Sequence, residues 1–187
     1  MSTNPPSSRT HPDRMPNFGF RAMVGVMNIM DFFWPRIDRR VQTFGIRPGM
    51  AVVDYGCGPG RYTVRLARLV GEGGKVYAVD IHELALQETQ KRAGRLGLRN
   101  VTAVLARGYD STLPDAVADI ICCLDMFFGV RNPTALLAEL RRIAKPGGLL
   151  VIDDGHQPRS ATLAKIRVSG LWDIVSESRD HLVCQPV

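Results

Sequence analysis

The sequence predicts an α/β domain built on a doubly wound, mostly parallel sheet with helices on both faces. Short apolar runs alternate with amphipathic stretches after residue 49, which is typical of βαβ units. A glycine-rich turn follows the first apolar run, and two further strand-like runs separated by a polar turn close the chain. At 187 residues, the chain can bury one core without metal or disulfides but has no room for a second full domain.

The first 46 residues precede the alternating pattern. Residues 1–17 are rich in Pro, Ser and Thr, and we expect a disordered tail. Residues 18–46 are predicted to form two helices, and these helices are a candidate substrate lid. The first, Phe18–Trp34, is apolar almost all round but too short and interrupted to span a bilayer. The second, Pro35–Phe44, begins at a proline suited to a first helical turn. We expect it to turn inward Ile37, Val41 and Phe44, and outward Arg36, Arg39 and Arg40.

Residues 47–187 are expected to form the main domain. Five strands are predicted at Val52–Tyr55, Val76–Asp80, Val101–Ala106, Asp119–Cys123 and Leu149–Asp153. Helices are predicted at Tyr62–Val70, Glu83–Leu96, Pro133–Ala144 and Ser160–Val168. The chain then ends in a predicted hairpin of Leu171–Ser176 and His181–Gln185. This hairpin would give the sheet one antiparallel strand.

Charge and cysteine content limit the functional classes. The formal net charge is +6, and residues 1–49 hold seven basic and three acidic residues. A basic face can recruit nucleic acid or an anionic membrane, although a solvated helix surface is the commoner reason for scattered arginines. The four cysteines show no paired CxxC spacing and no export signal precedes them, so we expect reduced thiols in a cytoplasmic protein. The sequence does not indicate the oligomeric state.

The glycine turn is the main functional signal. Gly56, Gly58 and Gly60 follow a strand and precede a helix, where a ligand can approach the backbone closely. The spacing is GxGxG, and Arg61 stands where a dinucleotide fingerprint has its third glycine, which disfavours a pyrophosphate. Asp80 ends the next strand, where a carboxylate can accept hydrogen bonds from ribose hydroxyls. That carboxylate alone is compatible with NAD or with an adenosylmethionine ligand.

Three motifs together resemble class I S-adenosylmethionine-dependent methyltransferases. They are Val53-Asp54-Tyr55-Gly56-Cys57-Gly58-Pro59-Gly60, Val79-Asp80, and Ala144-Lys145-Pro146-Gly147-Gly148. The resemblance runs from about Arg47 to the terminal hairpin and is nearest to small-molecule enzymes similar to ubiquinone/menaquinone-biosynthesis methyltransferases. It implies a Rossmann-like, seven-stranded sheet with the last strand antiparallel. It also implies S-adenosyl-L-methionine as cofactor and a small-molecule methyl acceptor.

The resemblance also implies roles for individual residues. Those expected to line the methionine and ribose are Asp54, Gly56, Cys57, Gly58 and Gly60. Asp80 would hold the ribose, Ile81 would pack on adenine, and Leu124 would contact the cofactor after strand four. After strand three, the family usually has Gly-Asp-Ala before a Leu-Pro pair, and the Asp of this segment contacts the adenine amino group. Here Tyr109 occupies the position of that Asp and Asp110 comes one place later, so we expect both residues at the cofactor site, with Asp110 taking the adenine contact.

Methyl transfer from a sulfonium is an in-line displacement that needs mainly alignment in a dry pocket. Where the acceptor carries a proton, a base at the carboxyl ends of the strands is useful. Asp125 after strand four and His156 after strand five are the predicted catalytic residues, with Asp153 and Asp154 as further candidates. Asp125 could instead contact the methionine ammonium or cap a turn. The loop from Asp153 to His156 could be interpreted as a set of metal ligands, but we expect no metal.

Three functional classes remain open from the sequence. A small-molecule methyltransferase is favoured, with the Met- and Phe-rich Phe20–Trp34 as its lid or as core. An RNA or protein methyltransferase is supported by the basic charge. Against nucleic acid, Cys122 and Cys123 lack the Pro-Cys or Thr-Cys context of cytosine methyltransferases, and strand four lacks an Asn/Asp-Pro-Pro-aromatic ending. The third class is a non-catalytic adenosylmethionine-binding module that contacts a membrane through Phe18–Trp34.

Overall fold

In the computed structural model, residues 11–22, 24–25 and 36–187 are described. Within these ranges seven strands form one sheet, in the order β3-β2-β1-β4-β5-β7-β6. The strands are β1 Ala51–Tyr55, β2 Lys75–Asp80, β3 Val101–Leu105, β4 Ala118–Cys123, β5 Ala144–Ile152, β6 Trp172–Glu177 and β7 Leu182–Pro186. Strands β1 to β5 pair in parallel, whereas β7 runs antiparallel to β5 and β6. The predicted fold, including the antiparallel terminal strand, is confirmed.

Helices cover both faces of this sheet. They are α1 Arg36–Val41, α2 Thr63–Val70, α3 Glu83–Arg95, α4 Pro133–Ile143 and α5 Arg159–Ser169, with a 3-10 turn at Phe127–Gly129. Local chemistry sets several ends: Asn132 caps α4 ahead of Pro133, and the left-handed Gly170 ends α5. No helix in the described ranges is both long and apolar enough to cross a membrane.

Strand β5 departs most from the predicted boundaries. It begins at Ala144 rather than Leu149, because Ala144 pairs with Ala118 before the register shifts and Leu149 pairs with Ile120. The shift accommodates Gly148, where a Cβ would lie 2.9 Å from the carbonyl oxygen of Ala118. The strand therefore starts at Ala144, which was predicted as the last residue of a helix, and runs through Pro146-Gly147-Gly148 with an irregular register.

The core lies on both sides of the central strands. One layer includes Phe127, Leu136, Leu140, Ile166 and Trp172, and the other includes Ile37, Val41, Phe44, Leu66 and Val70. The indole Nε1 of Trp172 donates to the carbonyl of Leu137 at 3.0 Å, so the polar atom of this buried ring is satisfied. With both faces covered, the carboxyl ends of the strands form the accessible edge at which such sheets bind ligands.

The N-terminal region is described only in part. Residues 1–10, 23 and 26–35, and with them most of the expected Phe18–Trp34 helix, lie outside the described residues. Residues 11–17, which we expected within a disordered tail, have described positions, and the side chain of His11 is buried. Residues 17–22 are helical, with Phe20 buried and Phe18 86% exposed.

Helix α1 corrects one sequence prediction. The side chains of Ile37, Val41 and Phe44 are buried and Arg39 is exposed, as expected. Arg40, expected to face outward, instead turns into the molecule and forms an ion pair with Asp153. Helical spacing accounts for this, because positions 37, 40, 41 and 44 lie on one face.

Candidate active site

The glycine turn leaves β1 in a conformation that side chains rarely adopt. Gly56, Gly58 and Gly60 all have positive φ, at 76°, 51° and 79°. At Gly60 a Cβ would lie 3.0 Å from the backbone Cα of Thr89, so the close packing of the turn on α3 also requires glycine. The amides of Gly56 and Cys57 donate to the carbonyl of Val79 at 2.8 and 3.0 Å, which ties the turn to β2.

Asp80 completes the turn from the end of β2. Its Oδ2 accepts from the amide of Gly58 at 2.9 Å, and its Oδ1 accepts from the amide of His82 at 2.8 Å. Burial in the pocket wall raises the pKa of Asp80 to about 6, against the opposing effect of these amide donors. A carboxylate has lone pairs beyond those two, so Asp80 can still accept hydrogen bonds from a ligand.

A cavity of about 330 Å³ opens beside Asp80. This volume lies at the lower end of the range for small-molecule sites. Its lining includes seven of the residues predicted from the sequence: Gly56, Cys57, Asp80, Ile81, Tyr109, Leu124 and Asp125. We call it the first cavity.

Five predicted site residues do not line the first cavity. They are Asp54, Gly58, Gly60, Asp110 and His156. Gly58 and Gly60 allow the backbone conformation of the turn but do not contact the cavity. Asp54 is buried beneath it and accepts from Thr63 Oγ1 at 2.5 Å. Burial raises the pKa of Asp54 to about 7. The structure thus gives Asp54 a place where it supports the turn.

Tyr109 and its neighbour Asp110 have different positions relative to the cavity. Asp110 Oδ1 accepts from the amide of Thr112 at 2.7 Å, which caps a local turn. Tyr109 lines the cavity. Its hydroxyl donates to Asp13 Oδ2 at 2.6 Å and accepts from the amide of Asn132 at 3.0 Å. At the family's usual acid position, this chain therefore places a tyrosine that holds the N-terminal segment.

Residues 11–20, here called the N-terminal strap, form one wall of the first cavity. The strap residues in the lining are His11, Asp13, Arg14, Met15 and Phe20. The ring of His11 contacts Tyr109 edge-on at 4.9 Å, and the ring of Phe20 stacks on His82 at 4.4 Å between centroids. The strap residues were not predicted as site residues, because the composition of residues 1–17, rich in proline and serine, predicts disorder.

A second cavity of about 570 Å³ adjoins the first. Its lining is more polar and comes from α1, from the loops after β4 and β5, and from the turn before β7. The lining residues are Ile37, Arg39, Arg40, Thr43, Tyr62, Asp125, Asp153, Asp154, Gly155, Arg179 and Asp180. Tyr62 and Asp125 line both cavities. These two side chains therefore form a shared wall.

Asp125 occupies this wall in a strained backbone conformation. Its φ is 55°, in the left-handed region that non-glycine residues rarely adopt. Its amide donates to Asp153 Oδ1 at 2.9 Å, and its Oδ2 accepts from the Tyr62 hydroxyl at 2.9 Å. Burial raises the pKa of Tyr62, and the nearby Asp125 raises it further, so the phenol is a hydrogen-bond donor at neutral pH. Strain of this kind concentrates at functional sites.

The other candidates after β5 lie apart from this wall or have ionic partners. His156 is exposed and contacts Phe128 edge-on at 4.9 Å, and it lines neither cavity. Asp153 pairs with Arg40 at 2.6 Å, and Asp154 pairs with Arg159 at 2.8 Å. In the described part of the chain, no group of three acidic, histidine or cysteine side chains is placed to hold a metal ion.

Comparison with known proteins agrees with this architecture. Residues 46–179 match the family described as a methyltransferase domain. A ubiquinone/menaquinone biosynthesis C-methyltransferase, UbiE, from Shewanella pealeana is 34% identical over 152 residues, covering 78% of this chain and 59% of that protein. The chain thus spans less than two thirds of this curated relative.

Solved structures give the same result for the fold. A SAM-dependent methyltransferase from Aquifex aeolicus has a TM-score of 0.74 at 28% identity, covering 81% of this chain and 89% of that one. The [4+2]-cyclase SpnF has a TM-score of 0.66 at 18% identity, covering 76% and 57%, which is a likeness of fold alone. On the match across residues 46–179, the chain belongs to the methyltransferase domain family, among the class I S-adenosylmethionine-dependent methyltransferases.

Proposed function

We propose that this chain binds S-adenosyl-L-methionine in the first cavity and transfers its methyl group to a small-molecule acceptor. The observation that carries the proposal is Asp80, a carboxylate at the end of β2 that holds the glycine turn through Gly58 and borders the cavity. When bound, the cofactor would supply an electrophilic methyl group on its sulfonium sulfur, and that sulfur would become a neutral thioether on loss of the methyl group.

The residues of the first cavity suit an adenosyl ligand. Asp80 provides acceptor capacity for ribose hydroxyls, and Ile81 provides an apolar surface for a base. His82 Nδ1 accepts from the amide of Leu84 at 3.2 Å, so its proton resides on Nε2. Burial lowers the pKa of His82, against the opposing effect of a backbone hydrogen bond with Met15 of the strap. The ring is therefore neutral at pH 7 and lines the cavity as a polar group.

We place the acceptor at the wall shared by the two cavities. The acceptor atom would attack the methyl carbon while the carbon–sulfur bond breaks, and Asp125 would take a proton from an acceptor that carries one. Tyr62 donates a hydrogen bond that orients the Asp125 carboxylate. We assign the base to Asp125 rather than His156, because His156 lines neither cavity.

The curated relatives suggest the chemical class of the acceptor. Their printed name specifies carbon methylation in ubiquinone and menaquinone biosynthesis. We therefore propose a flat, phenol- or quinol-like acceptor. The apolar side chains Met126, Phe128 and Val130 in the first cavity offer contact area for such a ring. In carbon methylation the ring carbon gains the methyl group and loses its own proton, and Asp125 would accept the proton released from the ring or its hydroxyl group.

Two measurements test the proposal. Calorimetry should show binding of S-adenosylmethionine and S-adenosylhomocysteine, and no heat with NAD. Release of S-adenosylhomocysteine is then assayed against phenols, quinols, thiols, amines and RNA, and turnover should be highest with phenols or quinols. Binding of NAD without either adenosyl ligand would overturn the cofactor assignment. Turnover confined to RNA would overturn the acceptor class.

Two further proposals concern surroundings and partners. We propose a cytoplasmic protein, since all four cysteines are buried free thiols. Peripheral membrane contact is a second candidate property, favoured by the 86% exposed ring of Phe18. Flotation with anionic vesicles should be lost in Phe18→Ser if that ring anchors the protein. Nucleic-acid binding, supported only by the +6 charge, would show a steep salt dependence.

A further inference from the structure

Arg40 links α1 to the shared wall of the two cavities. Its Nη1 donates to the Tyr62 hydroxyl at 2.8 Å, and its Nη2 donates to Asp153 Oδ2 at 2.6 Å. Nη2 also donates to the carbonyl of Asp180 at 2.7 Å. One guanidinium thus joins α1, Tyr62 at the start of α2, the loop after β5 and the terminal hairpin.

Two of these three partners of Arg40, Tyr62 and Asp153, contact Asp125 directly. Tyr62 donates to its carboxylate, and Asp153 accepts from its amide. The Arg40 Nη1 itself lies 3.9 Å from Asp125 Oδ1. Since Asp125 has a strained φ of 55°, the surrounding contacts must hold it there. Arg40 is the group common to those contacts.

Asp153 depends on Arg40 for its charge. Only 3% of Asp153 is exposed, and burial raises the pKa of its carboxyl group. The neighbouring Asp125 raises this pKa further, whereas Arg40 lowers it. A buried carboxylate that loses its cationic partner is left uncompensated. Without Arg40, Asp153 would therefore take up a proton at higher pH.

Resting on the proposed function, we propose that Arg40 is a positioning residue for methyl transfer: it fixes Tyr62 and Asp153, and these two side chains hold Asp125 at the reacting atoms. Helix α1 thereby completes the acceptor site, with no contribution to the cofactor wall formed by Asp80.

Other ionisable groups face this network from the surrounding elements. They are Asp54 on β1, Cys123 on β4, Asp154 after β5, Arg39 on α1, Arg159 on α5, and Arg179, Asp180 and His181 before β7. None of these groups is altered in the variants below, so their effect on the titration is common to all proteins compared.

The test compares Arg40→Met and Arg40→Lys with a matched control, Asp38→Asn. Asp38 lies on the same helix and forms an ion pair with Arg65 of α2, at 2.9 and 3.2 Å, away from both cavities. Its substitution therefore loosens the docking of α1 without touching the shared wall. A lysine at position 40 can pair with Asp153 but cannot also reproduce the planar fork that reaches Tyr62.

We expect Arg40→Met to lower kcat at least about 10-fold, as misplaced catalytic groups do, with unchanged affinity for S-adenosylhomocysteine. Arg40→Lys should recover part of that loss, and Asp38→Asn should retain parental turnover. Turnover is measured with the best acceptor from the panel above. Carboxyl ¹³C NMR of the ligand-free proteins should show a higher pKa for Asp153 in Arg40→Met, and parental titration in Asp38→Asn.

Two outcomes would overturn the inference. One is an equal loss of kcat in Asp38→Asn, which would mean that α1 docking alone matters. The other is a parental titration of Asp153 in Arg40→Met. Failure of the proposed function looks different: the parent protein itself would bind no S-adenosylhomocysteine, while the NMR comparison would still report whether Arg40 holds Asp153.

Discussion

Asp80→Ala is the most direct test of the cofactor site. The parent carboxylate holds the amides of Gly58 and His82 and offers its remaining lone pairs to the ribose. Alanine removes all of these acceptors at once. Hydrogen bonds to a charged group contribute about 1.5–3 kcal/mol each. Loss of even one such contact predicts a dissociation constant for S-adenosylhomocysteine raised about 10- to 100-fold.

The fold should survive this substitution. Removing Asp80 leaves the amide of Gly58 without its partner, which destabilises the turn. It also removes a carboxyl group whose pKa is raised to about 6 by burial, so the cost of keeping that charge in the folded state at pH 7 disappears. The two effects oppose each other, and we expect a Tm within a few degrees of the parent.

Isothermal calorimetry with S-adenosylhomocysteine measures the effect, with Asp110→Ala as control. Asp110 was the expected adenine contact, yet its carboxylate caps a turn at Thr112 outside the cavity lining. The control should therefore bind like the parent. Protonation of Asp80 should also weaken binding by the parent below about pH 6, and this pH dependence should vanish in Asp80→Ala. Parental affinity in Asp80→Ala, or a larger loss in Asp110→Ala, would refute the reasoning.

Three further variants test other parts of the site. The folded pKa of Asp54, about 7, exceeds its unfolded value. Between about pH 4 and 7 the native state therefore holds a proton that the unfolded state has lost, and the free energy of unfolding should fall as the pH rises. Asp54→Asn should flatten that slope in urea unfolding, and an unchanged slope would contradict the assignment. Asp125→Asn should lower kcat about 100-fold while retaining S-adenosylhomocysteine affinity; a parental kcat would exclude it as the base. Phe20→Ala should weaken S-adenosylhomocysteine binding a few-fold in calorimetry through loss of its stack on His82, whereas the exposed Phe18→Ala should not.

The order of elements and the glycine turn were predictable because their signals are local. Alternation of apolar runs with amphipathic stretches placed the first four strands within one residue of their observed starts. Glycine spacing and the carboxylate at Asp80 located the turn and its partner. The predicted start of β5 at Leu149 was wrong. The strand begins at Ala144, whose pairing with Ala118 is a contact between strands that leaves no periodic signal in the sequence.

The shared wall of the two cavities was only partly predictable. Asp125 was a candidate because it lies two residues after the end of β4. Tyr62 was predicted only as the first residue of a helix. Arg40 was predicted to face outward, although its spacing from Ile37 and Phe44 places it on the buried face of α1. That prediction gave more weight to the charge of Arg40 than to its helical spacing, although an arginine that turns inward is usually paired with an acidic residue, as Arg40 is with Asp153.

The sequence by itself determined the fold class, the parallel sheet with its antiparallel last strand, and the cofactor turn, since each depends on residues close together in the chain. Only the tertiary structure decided which side chains meet at the site. Arg40 reaches Asp153 across 113 positions, and Tyr109 reaches Asp13 across 96. No local pattern specifies such contacts, because they arise when packing of the sheet and helices brings distant segments to the same edge.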